Sequence, residues 1–411
     1  MKIKVVGSIP QFDLLGDHFA QNKPEVFRQL REISPVAQAR MSNRTVYVLT
    51  RYHDIETALT SLDIIKDTNN IESENGKKQS AMSWLPAPIF SAVTHSMLHS
   101  DDPNHRRLRT LVHKAFTPRM IETLEGRIET LAHQLMDDML KEGTVDLLEA
   151  YALPIPIQMI SEMLGIPPQD RLKFRKWSEA ILVNPTPLRM MMGVPAMLEM
   201  FKYIRKLGNE RMQNPQDDLL TSLVQAEHEG ERLSEEELFA MVFLLMAAGH
   251  ETTVGLITNG THALLTHPDQ LGQLRHHPDQ LPTAIEELLR FDTPLMTGEL
   301  NYARVPYSVE DVTIPTGSMI FTAILSANHD ESVFSHPEQL DLTRQPNKHL
   351  AFGKGIHYCL GAPLARMEAK VAFATLLERA PNLRLAVPSA SLRYAKLPIV
   401  NRLTRLPVSV S

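Results

Sequence analysis

The chain has 411 residues, a formal net charge of −6 and a pI near 6.3, a balance that gives no case for a nucleic acid or an anionic membrane surface as partner. Hydrophobic residues make up 43% and charged residues 22%, as in an ordinary globular chain, and the single cysteine excludes an intramolecular disulfide, which suits a reducing cytoplasm. Length alone allows two or three domains, and the opening Met1-Lys-Ile-Lys-Val-Val-Gly-Ser8 is too soon interrupted for a signal peptide.

Taken in chain order, Arg44-Thr-Val-Tyr-Val-Leu-Thr50 is rich in β-branched residues and predicts a strand. Polar residues 69–80 and the apolar, proline-bearing Ala81-Met-Ser-Trp-Leu-Pro-Ala-Pro-Ile-Phe90 predict a long irregular loop. Asp102-Pro103 opens a helical pattern from about His105 to Glu142. Within it His105 and Arg109 are four residues apart and share a face, where paired donors suit a carboxylate. Helical patterns continue to Leu265, punctuated by Pro154, Pro156, Pro167, Pro168, Pro185, Pro187 and Pro195. Strands are predicted around Val312–Ile314 and Met319–Ile324, so helix dominates and the sheets are small.

Ser234-Glu-Glu-Glu237 is a capping box, and the helix it starts can run to Leu265, about 48 Å at 1.5 Å per residue. From Leu238 to Gly249 it is apolar all round, as in a helix that crosses a core, yet that stretch falls short of the ~20 residues that span a bilayer. Ala248-Gly249-His250-Glu251-Thr252-Thr253 follows, and buried polar groups need a reason. In a structural reading Thr252 back-bonds to the Ala248 carbonyl and Glu251 meets an arginine. In a functional reading the hydroxyl loosens the helix ladder, Gly249 leaves room for a small ligand, and Glu251 and Thr252 relay protons.

His-Pro-Asp-Gln-Leu occurs twice, at His267–Leu271 and His277–Leu281. Two proline-initiated helix starts explain the repeat better than a metal site, since no ligand cluster has the right spacing. Glu287 and Arg290 stand at i and i+3 and can pair. Near the end comes Phe352-Gly-Lys-Gly-Ile-His-Tyr-Cys-Leu-Gly361, followed by Ala362-Pro363, which predicts a helix with proline in its first turn. A lone cysteine is more often a small buried hydrophobe. Here the flanking glycines permit close approach of a flat ligand, and the helix directs its N-terminus toward the sulfur, which favours a thiolate.

The Cys359 run resembles the haem-binding loop of the cytochrome P-450 family: Phe352, Gly353, a second glycine, a basic residue and cysteine stand at the family's spacing. Gly249 to Thr253 resembles its oxygen-activation motif, and Pro337-Glu-Gln-Leu-Asp-Leu-Thr-Arg344 its meander. The resemblance implies a mainly α single domain over residues 1–411 with small β-sheets, a triangular prism holding haem b between the long central helix and the Cys-loop helix. It implies Cys359 as axial iron ligand, Phe352 and Gly353 in the haem loop, Glu251 and Thr252 as the catalytic proton relay, and His105, Arg109 and His357 as propionate ligands. Glu287, Arg290 and Arg344 would be a structural network holding the Cys loop. Relatives usually carry Arg where this chain has Asn301, so either Arg304 compensates through a local bulge or that propionate is held more weakly.

The same resemblance implies a cytoplasmic monomer, with O2 and electrons from NAD(P)H through a reductase and a ferredoxin or flavodoxin. Lys354, with Arg106, Lys114, Arg366 and Lys370, would form the basic patch for that partner. The chain ends soon after the Cys helix, and the electron donors are accordingly expected to be separate proteins. Implied substrate contacts are apolar: Leu244, Ala247, Ala248, Leu295, Met296 and Ile399, with the 81–93 loop and Met190-Met-Met192 adding adaptable hydrophobes. The expected activity is hydroxylation of a hydrophobic small molecule, closest in pattern to macrolide and polyketide tailoring, with steroids, terpenes and fatty acids open. The alternatives are a peroxide-driven peroxygenase and a non-catalytic haem-thiolate sensor or carrier.

Overall fold

The computed structural model describes residues 3–6, 9–41, 44–71, 94–182, 187–298 and 300–410. The helices used below are α1 (Lys23–Ile33), α2 (Asn104–Ala115), α3 (Glu125–Glu142), α4 (Pro154–Met163), α5 (Arg171–Leu182), α6 (Pro187–Gln213), α7 (Leu219–Gln225), α8 (Glu235–Thr266), α9 (Pro268–His276), α10 (Leu281–Phe291) and α11 (Ala362–Arg379). As predicted, helix dominates. The two repeated His-Pro starts open α9 and the 3-10 turn that leads into α10. No cluster of metal-ligating side chains occurs among the described residues.

The main sheet has seven strands in the order β1-β2-β3-β4-β10-β7-β5: β1 (Lys4–Val6), β2 (Ile9–Asp13), β3 (Val36–Met41), β4 (Arg44–Leu49), β5 (Ile64–Ile65), β7 (Asn301–Ala303) and β10 (Met319–Thr322). β4 is the predicted strand. β10 lies parallel to it, with Met319 opposite Val46. The strand ends at Thr322 rather than Ile324, because Ile324–Ala327 turns into a short helix that packs on α1. β12 (Pro407–Ser409) joins β6 (Thr144–Asp146) and β11 (Arg384–Leu385) in a second sheet, and β8 (Tyr307–Val309) pairs with β9 (Val312–Ile314).

The capping box of α8 forms: Ser234 Oγ accepts from the Glu237 N–H and Glu237 accepts from the Ser234 N–H. α8 is long and apolar enough to span a membrane, but more than half of its most apolar window is enclosed by the protein. Its apolarity is used in the core. α4 and α11 both pack directly on it, so the segment before Thr252 and the helix after Cys359 are held against each other.

Candidate active site around Cys359

The Cys359 loop is pinned by its own backbone. Cys359 N–H donates to the Phe352 carbonyl (2.9 Å) and Gly353 N–H to that of Leu350 (2.8 Å). Gly355 has φ +74°, and a Cβ there would stand 2.6 Å from the Leu59 carbonyl oxygen; only glycine fits. Gly361, by contrast, has an ordinary φ of −81°. The Cys359 surface reaches solvent while protein crowds its other sides. Burial pushes the thiol pKa up, and the Gly361 and Ala362 amides with the Arg109 and Arg366 guanidiniums pull it the other way. The helix terminus therefore acts on the sulfur as the sequence predicts.

The structure brings His105, Arg109 and His357 to this loop. The rings of His105 and His357 are 4.3 Å apart between centroids, and Arg109 Nη2 donates to the Tyr358 carbonyl (2.8 Å). Burial, followed by the positive charges of Lys66 and its neighbours, drives His357 down to about 2; burial and Lys66 take His99 to about 3. His105 is lowered by burial and Arg109 against the opposing pull of Asp102. Lys66 and His99 escaped the sequence reading, because no spacing links the end of β5 to the turn before α2. Five nitrogen bases thus crowd one place and destabilise one another's charge, an environment that suits anionic groups.

Arg304 does not join them. Its Nη2 donates to Asp63 Oδ1 (2.9 Å) and its backbone N–H to the Asp63 carbonyl. Asn301 is buried on β7, with Nδ2 3.5 Å from the Ile320 carbonyl. In this structure the Arg304 guanidinium faces Asp63 instead of the His105–His357 cluster.

α8 is buried along most of its length, but Leu244, Ala247, Ala248, Glu251 and Thr252 keep access to solvent, Ala248 most of all. Their spacing places them on one face. Gly249 lets α4 pack closely, since a Cβ there would meet Ile160 Cδ1 at 2.9 Å. Thr252 Oγ1 donates to the Ala248 carbonyl (2.7 Å). Glu251 Oε2 accepts from Arg402 Nε (2.7 Å), and its Oε1 lies 3.4 Å from His250 Nε2. Burial raises the Glu251 pKa, but His250 and Arg402 outweigh it and leave the group at about 2. Both contacts of the structural reading are present. They coexist with the exposed face that the functional reading needs.

Glu368 was also missed from sequence. Fully buried on α11, it hydrogen-bonds to Thr253, and burial pushes it up to about 8. Among the apolar candidates, Leu295 and Ile399 are half-buried neighbours, with Leu295 bridging Val400 and the Met296 N–H donating to the Ile399 carbonyl (2.8 Å). Met296 itself is wholly enclosed in the core around the large sheet, so here it packs rather than presents a surface. The 81–93 loop and the side chains of Met190, Met191 and Met192 lie outside the described residues.

The predicted structural network forms in full. Arg290 donates to both Glu287 oxygens (2.7 and 2.8 Å), and Arg344 Nε lies 3.1 Å from Glu287 Oε2. Arg290 also donates to the carbonyls of Asn328 and Pro337 (both 2.9 Å). Asn328 Oδ1 in turn accepts from the Leu350 N–H (2.8 Å), which carries the rigidity of the ion pair to the residues just before Phe352.

Residues 2–380 match the family model described as Cytochrome P450. The chain belongs to the cytochrome P450 family. "Polyketide biosynthesis cytochrome P450 PksS" of Bacillus subtilis is 40% identical over 400 residues, 96% of this chain and 98% of that one. Its solved structure superposes with a TM-score of 0.89, covering 97% of this chain and 100% of that one. "Vitamin D(3) 25-hydroxylase" of Pseudonocardia autotrophica is 39% identical over 97% of this chain and 96% of its own. P450BioI, solved "in complex with hexadec-9Z-enoic acid ligated Acyl Carrier Protein", is 32% identical with a TM-score of 0.85, over 95% and 99% of the two chains.

A P450 is a monooxygenase built on haem b, and this chain's residues fit that group. A single thiol opens to solvent beside a cluster of nitrogen bases matched to two carboxylates. The basic patch of this P450 is more committed than its sequence suggests. Lys354 pairs with Glu56, Arg106 with Asp102, Arg366 with Glu286 and Lys370 with Glu125, while Lys114 Nζ donates to the Glu227 carbonyl. What remains beside the Cys loop is a groove of about 490 Å³ lined by Arg106, Arg109, His113, Lys114 and Ile356.

Proposed function

We propose that this P450 hydroxylates a hydrophobic molecule of polyketide type, with Cys359 as the iron ligand and His105, Arg109 and His357 as the propionate ligands. The observation that carries the reading is the accessible stripe Leu244–Ala247–Ala248–Glu251–Thr252 on a helix most of whose residues are buried, packed directly on the helix that follows Cys359. Small Ala247 and Ala248 leave width for a bulky substrate, and the apolar side chains of Leu244, Leu295 and Ile399 favour burial of a carbon skeleton over a polar one. Relatives named for polyketide biosynthesis support that class, and one solved with an acyl-loaded carrier supports an acyl chain presented on a carrier protein.

Haem, when bound, supplies activation of dioxygen, its thiolate ligand favouring O–O cleavage. The chain's own residues supply position and protons. The Thr252 hydroxyl has its hydrogen committed to the Ala248 carbonyl, so its lone pairs are free to accept from a protonated oxygen nearby. Glu251, ionised at neutral pH, takes a proton at a carboxylate oxygen only transiently and passes it on. Arg402 and His250 keep that carboxylate in place. Electrons come from a separate ferredoxin or flavodoxin and its reductase, docked on the groove beside Ile356.

The decisive experiment is the absorption spectrum of the reduced carbon monoxide complex. The red-shifted thiolate band is expected for the wild type and its loss for Cys359→Ser. A well-folded, haem-loaded wild type without the band would end the assignment. Turnover with peroxide but not with reductase and ferredoxin would replace the monooxygenase reading by a peroxygenase.

A further inference from the structure

The cations beside Cys359 are occupied within the protein, whereas Lys176 on α5 and Lys202 and Lys206 on α6 meet no carboxylate among the described residues. Between Arg171 and Lys206 the sequence has eight lysines or arginines against two acids, in a chain whose net charge is −6. Exposed lysines stand at 173 and 176 on α5 and at 202 and 206 on α6. The two helices lie side by side: the Trp177 and Tyr203 rings are 5.5 Å apart, and Tyr203 Oη donates to Asp170 Oδ2 (2.9 Å). Lys173 sits over the Trp177 ring. Among the described residues Lys176, Lys202 and Lys206 pair with no carboxylate. Of the nearby acids, Glu199 accepts from the Trp177 N–H (3.1 Å) and Asp170 from Tyr203 Oη (2.9 Å).

Apolar surface accompanies the charge. Leu172 is 64% exposed and Leu198 is 42% exposed. Each precedes an unpaired lysine by four residues, Lys176 and Lys202, hence on the same helix face. The inner side of the ridge is anchored close to the substrate stripe. Phe201 packs edge-on against Phe239 (4.8 Å between centroids), and Phe239 against Phe243, the residue before Leu244. Unpaired positive charge around exposed leucines is a surface for an acidic protein with an apolar contact of its own, and such charge steers association over distance.

We propose that the α5–α6 ridge docks an acidic carrier domain that presents the substrate as an acyl thioester. The ridge is braced on α8 just before its accessible stripe, where a flexible acyl arm must enter, whereas electron delivery requires proximity to Cys359. This placement rests on the carrier-bound form of the proposed function. It assigns Lys176, Lys202 and Lys206 to partner binding and gives them no part in the oxidation.

The test uses the haem-loaded full chain and an acyl carrier protein bearing a hexadecenoyl thioester and a fluorescent label, with affinity read by anisotropy. The triple variant Lys176→Glu, Lys202→Glu, Lys206→Glu is expected to bind about tenfold more weakly, with a flatter salt dependence. Its reduced carbon monoxide spectrum, free fatty acid binding and rate of reduction by ferredoxin should be unchanged. Unaltered carrier affinity in the triple variant, or no measurable carrier binding by the wild type, would overturn the proposal. So would slowed reduction by ferredoxin, which would make the ridge an electron-donor site. Anisotropy does not depend on the iron, so failure here is distinct from failure of the haem-thiolate assignment, which the carbon monoxide spectrum reports.

Discussion

Arg402 donates to Glu251 across 2.7 Å and thereby fastens the C-terminal segment to the middle of α8. The pair explains how a carboxylate survives on a helix that otherwise crosses the core. It also sets the charge of the acid beside Thr252.

Removing the guanidinium tests this. Glu251 is held at about 2 by His250 and Arg402 against burial, below its unfolded value. Its stabilising contribution is therefore complete above pH ~4.3 and fades as pH falls toward 2. Arg402→Met is expected to lose about 3 kcal/mol at pH 7, with the deficit shrinking below pH ~4. Urea unfolding at several pH values measures it; a deficit that is constant with pH would contradict the pairing.

Thr252→Ala should separate electron consumption from product. With the hydroxyl gone, NAD(P)H oxidation continues while hydroxylation falls by about a hundredfold and hydrogen peroxide appears, since positioned proton transfer contributes about 10²–10⁴-fold. Thr252→Ser should restore coupling. Equal losses in both variants would assign the residue to helix packing.

Glu287 is a wholly buried acid shared by Arg290 and Arg344. Glu287→Gln leaves two guanidiniums short of their counter-charge, and a cost of about 3–5 kcal/mol is expected. Through Asn328 and Leu350 the loss should reach the Cys loop, seen as a lower haem content at equal protein concentration. Full haem loading with wild-type stability would show that the network is dispensable.

Gly355→Ala places a Cβ 2.6 Å from the Leu59 carbonyl at φ +74°. The strain should cost about 1–3 kcal/mol, measured as a fall in Tm. Gly361→Ala, at an ordinary φ and with its Cβ 4.0 Å from Cys359 Sγ, should be milder, and the reverse order would refute the strain argument.

Glu368 gives a pH dependence of the opposite sign to Glu251. Burial raises it to about 8, so between pH ~4.3 and 8 the folded chain keeps a proton that the unfolded chain releases, and stability falls as pH rises. Glu368→Gln should flatten that slope. An unchanged slope would mean that Glu368 is ionised in the folded protein.

Local chemistry was readable where it depends on neighbours in sequence. The capping box of α8 and the Glu287–Arg290 pair each follow from residues within a few positions. Arg402 was not readable, because it meets Glu251 from 151 residues away. Nor were Lys66 and His99, which reach His357 from separate segments. The packing use of Gly249 was not readable for the same reason: only the position of α4 shows that its missing side chain makes room for Ile160.

By itself the sequence pointed to the kind of chemistry, since the cysteine loop, the Glu251–Thr252 pair and the Glu287–Arg290 pair are short motifs that resemble those of the P450 family. Tertiary structure decided how the charges are spent. It bound Arg304 to Asp63, paired most of the cations near Cys359 with internal acids, and left Lys176, Lys202 and Lys206 of the α5–α6 ridge without a carboxylate among the described residues. Coulombic partners are chosen by distance in space, and no spacing along the chain records which distant acid a base will meet.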